Sequence, residues 1–394
     1  AITVDLSKLS TVVTLAGGAG NDTVTVSSTK DTATTAAWAL SGVETIKLSK
    51  LSGGLTLASS GIADTNWKSL AISADIGGDI SIAPKAADFT VTSTDSASTA
   101  RTVTIDNSGT ATINYTASST VTSSQNNALN YTLVSATKPT ISVGKYINAT
   151  GTITAYNASD FALTVDGQAS GATVYVPTAT GTGTITNGSS TSSLTVKAPL
   201  LTALNVTSSS TLTLDPTNST LNNIKTLTVA QSANTFTVGN VGVAQTVTLS
   251  GTAGTVVLGD LGSDASTLGV ALTATGLSGG VTVGAVKAGT ANASLNVAAT
   301  TGAVTIGAVT ASSGTATIDA SKALGAVTVG AVTAKDVVVS AKGAVGSFAT
   351  GTITAGKSVN YAAPSILSNS VTVVGSSSST TDLAVSISGG ALND

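Results

Sequence analysis

Three amino acids are missing from this sequence, and charged residues are scarce. None of the 394 residues is Cys, His or Met. This excludes disulfides, a thiol nucleophile, an imidazole base and a zinc site of the usual Cys/His kind. Charged residues make up 9% of the chain and the net charge is −3. A basic surface for nucleic acid is therefore not expected.

Small hydroxyl residues and branched aliphatic residues are abundant in the sequence. The chain holds 71 Thr and 53 Ser, and 41% of its residues are hydrophobic. Val, Ile and Thr favour β-strands, because branched Cβ atoms fit a pleated surface. The longest uncharged run, 226–259, is interrupted by Gly, Gln, Asn and many Thr, so no membrane insertion is expected. The chain begins with Ala and shows no signal sequence, which predicts a processed or truncated N-terminus.

An internal repeat is the most informative feature of the sequence. Val281–Val286, Val304–Val309 and Val327–Val332 nearly superimpose, and each lies 23 residues after the last. One such segment cannot bury its own apolar face, whereas stacked copies form a continuous core. The pattern predicts an all-β parallel β-solenoid with rungs of about 23 residues. A β-sandwich is the alternative, but sandwiches rarely repeat in sequence. Equivalent glycines are expected at one corner of each rung: Gly239, Gly259, Gly284, Gly307 and Gly330.

The repeat divides the chain into three predicted regions. In residues 1–133, strands with the pattern apolar-x-apolar form two series. The strands of one series begin at Val13, Ile46, Leu70 and Val103. Its steps of 33, 24 and 33 residues predict a solenoid with looser rungs, related to calcium-binding repeats. Residues 134–200 break the pattern and are interpreted as irregular rungs or a small inserted β-domain. Residues 201–394 are predicted to form the regular solenoid.

A calcium-binding motif lies near the N-terminus. Residues 17–25 match the nonapeptide G-G-x-G-x-D-x-U-x at every fixed position, which makes Gly17, Gly18, Gly20, Asn21 and Asp22 the predicted calcium site. Glycines let backbone carbonyls turn inward, and Asp supplies a hard oxygen ligand. Asp5 or Glu44 is the expected second acid, and spacing does not choose between them. The alternative reading is a Gly-Asn-Asp turn that leads into a strand.

Three features together resemble a known family. They are the single nonapeptide, the segment Leu40–Leu48 and the Thr/Ala/Gly/Ser bias without Cys. The chain resembles the RTX-related, type I-secreted S-layer proteins of Gram-negative bacteria such as Caulobacter and Campylobacter, in composition throughout and in motif over about 120 N-terminal residues. The resemblance implies an extracellular cell-surface protein and a calcium-assisted two-dimensional lattice of identical copies. It also implies attachment to lipopolysaccharide through a region outside this chain.

Two other functions are alternatives to the lattice protein. An adhesin or autotransporter-like passenger would share the solenoid but bind surface ligands. A polysaccharide-active enzyme would need clustered acids. Between Asp264 and Asp382 the only acids are Asp319 and Asp336, and their local sequences indicate turns. The sequence therefore predicts a structural protein without catalytic residues.

Overall fold

The computed structural model describes residues 2–6, 12–29, 34–57, 66–72, 76–84, 86, 88–94, 101–107, 109–116, 125–127, 129–188, 191–362, 371–376 and 382–388. These ranges contain β-strands and turns but no α-helix, and so no helix long and apolar enough to span a membrane. The chain divides into unit 1, Ala1–Leu201, and unit 2, Thr202–Asp394. The fold is a parallel β-solenoid of about 15 turns, with rungs of about 22 residues. The predicted fold class is confirmed.

The strands are short, and most have three to eight residues. In unit 1 they are β1 (Ile2–Asp5), β2 (Val12–Ala16), β3 (Thr23–Ser28), β4 (Thr34–Ser41), β5 (Thr45–Leu51), β6 (Leu55–Leu57), β7 (Ser69–Ile72), β8 (Ile80–Ile82), β9 (Phe89–Ser93), β10 (Arg101–Ile105), β11 (Thr110–Tyr115), β12 (Gln125–Asn127), β13 (Leu129–Leu133), β14 (Lys138–Val143), β15 (Ile147–Ala149), β16 (Thr152–Ala155), β17 (Phe161–Val165), β18 (Gln168–Tyr175), β19 (Thr182–Asn187) and β20 (Ser192–Lys197). In unit 2 they are β21 (Ala203–Ser208), β22 (Leu212–Leu214), β23 (Thr226–Gln231), β24 (Thr235–Val238), β25 (Thr246–Ser250), β26 (Thr255–Leu258), β27 (Leu261–Gly262), β28 (Val270–Thr275), β29 (Gly280–Val283), β30 (Val286–Lys287), β31 (Ala293–Ala299), β32 (Val304–Ile306), β33 (Val309–Asp319), β34 (Val327–Val329), β35 (Val332–Ser340), β36 (Phe348–Thr350), β37 (Ile353–Ala362), β38 (Val373–Gly375) and β39 (Ala384–Ser388).

Each unit has two main parallel sheets, which we call sheet I and sheet II. In unit 1, sheet I contains β1, β3, β5, β7, β9, β11, β14, β17 and β19, and sheet II contains β4, β6, β8, β10, β13, β16, β18 and β20. In unit 2, sheet I contains β21, β23, β25, β28, β31, β33, β35, β37 and β39, and sheet II contains β22, β24, β26, β29, β32, β34 and β36. Every pairing between these strands is parallel, so each strand stacks on its equivalent in the next rung.

A third, narrower strip closes the rungs of unit 2. It begins with β27 and β30, which pair with each other, and continues through the first residues of β33, β35 and β37 to β38. The repeated sequence Val304–Val309 crosses from sheet II to this strip, because β32 ends at Ile306 and β33 begins at Val309. A complete rung therefore has three sides, which the sequence pattern of two short strands did not distinguish.

Inward-facing residues form unbroken columns of aliphatic side chains. Leu227, Val247, Leu272, Leu295 and Ile318 occupy equivalent positions on consecutive strands of sheet I, and each is at most 1% exposed. Outward positions carry Thr, Ser and Asn. Strand alternation with a period of two therefore separates the core from the hydroxyl-rich surface.

The rungs of unit 1 are more regular than the sequence indicated. Val24, Ile46, Leu70, Val91 and Ile113 are register partners in sheet I and lie 22, 24, 21 and 22 residues apart. The predicted series was wrong, because it joined strands of different sheets. It placed Val103 with Ile46 and Leu70, whereas β10 belongs to sheet II and pairs with β8. The strand that the series missed is β9.

The segment that the sequence set apart continues the same architecture. Strand β14 pairs in parallel with β11 and β17, and β16 pairs with β13 and β18. The described parts of 134–200 are therefore rungs of unit 1. The boundary between the two units follows Leu201.

The predicted glycine column is present in unit 2. Gly259, Gly284, Gly307 and Gly330 each donate a backbone N–H to the carbonyl of the preceding glycine in the column, at 3.1–3.2 Å. A Cβ at Gly307 would lie 2.8 Å from the backbone of Gly284. Their φ angles are not in the left-handed region. Close approach between rungs, not an unusual backbone conformation, is therefore the reason for glycine at this corner.

Candidate functional site

The nonapeptide forms a corner that leads into β3. Gly18 and Gly20 have φ angles of 94° and 117°, a region that glycine enters without steric cost. The N–H of Gly17 donates to the carbonyl of Ser41 at 2.8 Å, and a Cβ at Gly17 would lie 1.9 Å from the carbonyl oxygen of Gly42. Each motif glycine thus meets a local structural requirement. Gly18 and Gly20 need the backbone conformation of glycine, and Gly17 needs the absence of a side chain.

Two acids meet at this corner, on consecutive rungs. The N–H of Asp22 donates to Oε2 of Glu44 at 2.6 Å. The carbonyl of Asp22 accepts the N–H groups of Glu44 and Thr45 at 3.2 and 3.1 Å. Asp5 stacks on Ser27, at the far end of β3. Of the two acids that the sequence left open, Glu44 is therefore the one beside Asp22.

The corner fits part of a calcium shell. Calcium takes six to eight oxygen ligands. Asp22 and Glu44 supply two carboxylates, and the carbonyls of 17–20 and the exposed amide of Asn21 lie in the same turn. No group of three or more His, Cys, Asp or Glu occurs among the residues that the structure describes. One carboxylate oxygen of Glu44 also accepts the Asp22 N–H, so water would have to complete the shell.

The sequence Gly77-Gly-Asp-Ile80, which matches the nonapeptide only in part, has a structural role. Oδ1 of Asp79 accepts the N–H of Thr102, on the next strand of sheet II, at 2.9 Å. This bond belongs to a set in which an Asn or Asp side chain of one rung accepts a backbone N–H of the next. Its other members are Asn130 to Thr152, Asp160 to Thr182, Asn240 to Asp260, Asp260 to Ala285 and Asn292 to Thr315, all at 2.8 Å. We call these the rung-bridging bonds.

The rung-bridging bonds were not predicted from the sequence, although the spacing of their residues carries a signal. Each donor lies 20 to 25 residues after its acceptor, the length of a rung, and each acceptor lies within two residues of a strand end. The bonds stabilise the charged form of two carboxylates. The N–H of Thr182, with the Ser159 hydroxyl and Lys138, lowers the pKa of Asp160. The N–H of Ala285 and then Lys287, whose Nζ lies 3.1 Å from Oδ2, lower the pKa of Asp260.

The two acids of the C-terminal region do not come together. Asp319 pairs in register with Ser340, whereas Asp336 pairs with Thr315, four residues earlier on the same strand. Four residues of strand span about 13 Å. Oδ1 of Asp336 accepts a hydrogen bond from the Ser358 hydroxyl, and Oδ1 of Asp319 accepts the N–H of Ser321 at 3.0 Å. The carboxylate of Asp319 therefore contacts the turn that follows it, and the carboxylate of Asp336 contacts the neighbouring strand β37.

Asp319 instead lines an open groove on the outer face of unit 2. The groove has a volume of about 500 Å³, and its lining includes Asn296, Asp319, Ser321, Lys322 and Leu324. Asn296 and Asp319 are register partners on β31 and β33. The turns that follow these strands form the walls.

No family model, no curated protein and no solved structure matches this chain.

Proposed function

We propose that this chain is a non-catalytic structural protein of a bacterial cell surface that assembles with its own copies into a lattice. The observation that carries the proposal is the apolar strand β39 at the C-terminal end of unit 2. The hydroxyl-rich surface and the S-layer resemblance support an extracellular setting.

Strand β39 continues the core columns of unit 2, and the residues that the structure describes leave its inward side chains partly exposed. It pairs with β37 so that Val385 stacks on Val359 and Ile387 stacks on Tyr361. Val359 and Tyr361 are each 1% exposed, whereas Val385 and Ile387 are 48% and 57% exposed. Because each side chain is already about half buried, covering the rest of one is worth about 0.7–1.5 kcal/mol. An uncovered strand edge above an apolar column is a template for a further strand.

Strand β1 of a second copy fits this template. It pairs with β3 so that Ile2 stacks on Val24 and Val4 stacks on Val26. Added in parallel to β39, it would place Ile2 over Val385 and Val4 over Ile387, which continues both columns. Such a head-to-tail contact repeats from copy to copy, and in this proposal it generates open rows of molecules. A lattice then requires lateral contacts between the rows.

The test is assembly of the full chain, with charge introduced into β39. Analytical ultracentrifugation and electron microscopy of the wild type should show concentration-dependent rows or sheets, and Val385→Lys with Ile387→Lys should leave monomers. Val345→Lys is the matched control, because Val345 is 61% exposed and lies in the turn between β35 and β36, outside β39. A wild-type chain that stays monomeric at high concentration, with or without calcium, would contradict the proposal. Assembly that survives both β39 substitutions would contradict this interface.

We propose calcium as an aid to assembly through the Asp22–Glu44 corner. An ion shared by the two carboxylates would reduce their mutual repulsion and stiffen the first rungs. An adhesin remains the second candidate function, and the groove beside Asp319 is the observation that favours it.

A further inference from the structure

The groove on the outer face of unit 2 has the size of a ligand site. Its volume of about 500 Å³ lies within the range of roughly 300–1,000 Å³ that is usual for small-molecule sites. Its floor is the outward row of sheet I that contains Asn296 and Asp319. The chain segments around Thr301 and Leu324 form its sides.

The polar groups of the groove offer acceptors and donors side by side. Oδ1 of Asp319 accepts the N–H of Ser321, so Oδ2 is available as an acceptor. Oδ1 of Asn296 accepts the N–H of Ala298 at 3.2 Å, so the side-chain NH₂ is available as a donor. Lys322 adds an exposed ammonium, and the ion pair found among the described residues joins Lys287 and Asp260 instead. Leu324, 54% exposed, supplies an apolar edge.

The charges of the groove cancel and so favour neither sign of ligand. Asp319 would repel an anion that Lys322 attracts, and Lys322 would repel a cation that Asp319 attracts. A neutral polyol meets neither penalty. Each sugar ring carries hydroxyls that both donate and accept, together with an apolar C–H face.

We propose that this groove binds a short neutral saccharide of about two rings. Asp319 accepts hydroxyl protons, Asn296 and Lys322 donate to hydroxyl oxygens, and Leu324 packs against the C–H face. The proposal does not depend on lattice formation, because the groove lies within one unit of one chain.

Saturation-transfer NMR on the full chain tests the proposal. The probes are cellobiose and N,N′-diacetylchitobiose, with inorganic phosphate as the anionic comparison in a competition experiment. We expect transfer to at least one disaccharide. The transfer should fall about five-fold in Asp319→Asn, which loses an acceptor oxygen, and in Lys322→Gln, which replaces a charged donor by a shorter neutral one. Phosphate should not compete.

The matched control is Lys335→Gln, which changes an exposed lysine on the narrow strip of unit 2. It should leave the transfer unchanged, and thermal unfolding should show that all variants keep the wild-type fold. The proposal is overturned if neither disaccharide shows transfer, or if the transfer persists in both groove variants. Competition by phosphate that is lost in Lys322→Gln would identify an anion site instead. Loss of self-association in Asp319→Asn without saccharide transfer would identify a contact between copies.

Discussion

At two corners of this molecule, backbone N–H groups find hydrogen-bond partners of different chemistry. In unit 2 the column from Gly239 to Gly330 lets the backbones of consecutive rungs touch, and the glycine N–H groups bond directly to glycine carbonyls. In unit 1 the Asp22 corner uses a carboxylate of the next rung to accept a backbone N–H. Buried or half-buried N–H groups need a partner in either case. The comparison shows that a solenoid corner can be held by close packing alone, as at Gly307, or by close packing together with an acidic side chain, as at Gly17 and Glu44.

The two solutions differ in what disturbs them. A glycine corner is sensitive to added volume. At Gly307 and Gly330 it is also insensitive to pH, because alanines follow these glycines, whereas the rung of Gly259 carries the carboxylate of Asp260 at this corner. An acidic corner accommodates a larger side chain on its solvent side, but its stability depends on the charge of the carboxylate. Substitutions at the two kinds of corner should therefore have separable effects.

The largest effect is expected at the glycine column. In Gly307→Val the new Cβ lies 2.8 Å from the Gly284 backbone. Two stacked rungs would have to separate, at a cost to unit 2 of about 3 kcal/mol in the free energy of unfolding. Urea unfolding followed by far-UV circular dichroism measures this loss.

The control for that substitution is the neighbouring residue. Ala308 is exposed, so Ala308→Val adds the same side chain at the same corner without meeting the preceding rung. It should stay within about 0.5 kcal/mol of wild type. Equal losses in the two variants would mean that close packing does not explain the glycine column.

A smaller effect is expected at a rung-bridging acid of unit 1. Asp160→Ala removes the acceptor for the N–H of Thr182, 2.8 Å away. The loss should be about 1–2 kcal/mol at neutral pH, since the bond involves a charged acceptor in a half-exposed position. Both tryptophans, Trp38 and Trp67, lie in unit 1, so their fluorescence reports its unfolding separately.

Acid should diminish the Asp160 effect. The folded-state pKa of Asp160 lies below its usual value of 3.8, mainly because the Thr182 N–H stabilises the carboxylate. The stabilisation is therefore fully present above pH 3.8 and is lost as the pH falls through the lowered pKa. Asp160→Asn keeps the acceptor oxygen without the charge, so its unfolding free energy should show a flatter pH dependence than wild type. A difference between wild type and Asp160→Ala that stays constant down to about pH 2 would contradict this assignment.

Calcium should have the smallest effect, confined to unit 1. A partly hydrated site with a dissociation constant of about 0.1–1 mM would add about 0.4–1.4 kcal/mol at about 1 mM calcium. Tryptophan fluorescence during urea unfolding measures this gain. Asp22→Asn should abolish it, whereas Asp264→Asn, at an exposed position of unit 2, should not. A calcium gain that survives Asp22→Asn would place the ion elsewhere.

The regular part of the fold could be predicted from sequence because its repeat is visible in the side chains. Val281, Val304 and Val327 occupy the same position in three rungs, and the sequence repeats there almost without change. Unit 1 has equally regular spacing, but its equivalent residues differ: Val24 stacks on Ile46 and then on Leu70. A pattern that specifies only an apolar residue cannot separate sheet I from sheet II when loop lengths also vary.

The candidate sites were only partly accessible to the same reasoning. The nonapeptide located the Asp22 turn, because its glycines meet local requirements of conformation and packing. The contact between Asp22 and Glu44 depends on the register of two rungs, which spacing did not determine. The groove at Asp319 arises from turns that project beside a flat sheet, and no sequence motif accompanies it.

The identical register of the three repeats has a consequence for how such a chain changes length. Val281 stacks on Val304, and Val304 stacks on Val327, with the same residue types on either side. Removing 304–326 would bring Val327 onto Val281 and leave both sheets continuous. Recombination between the corresponding stretches of a gene would therefore add or delete whole rungs. The number of rungs would change, while the core columns would keep the same residue types.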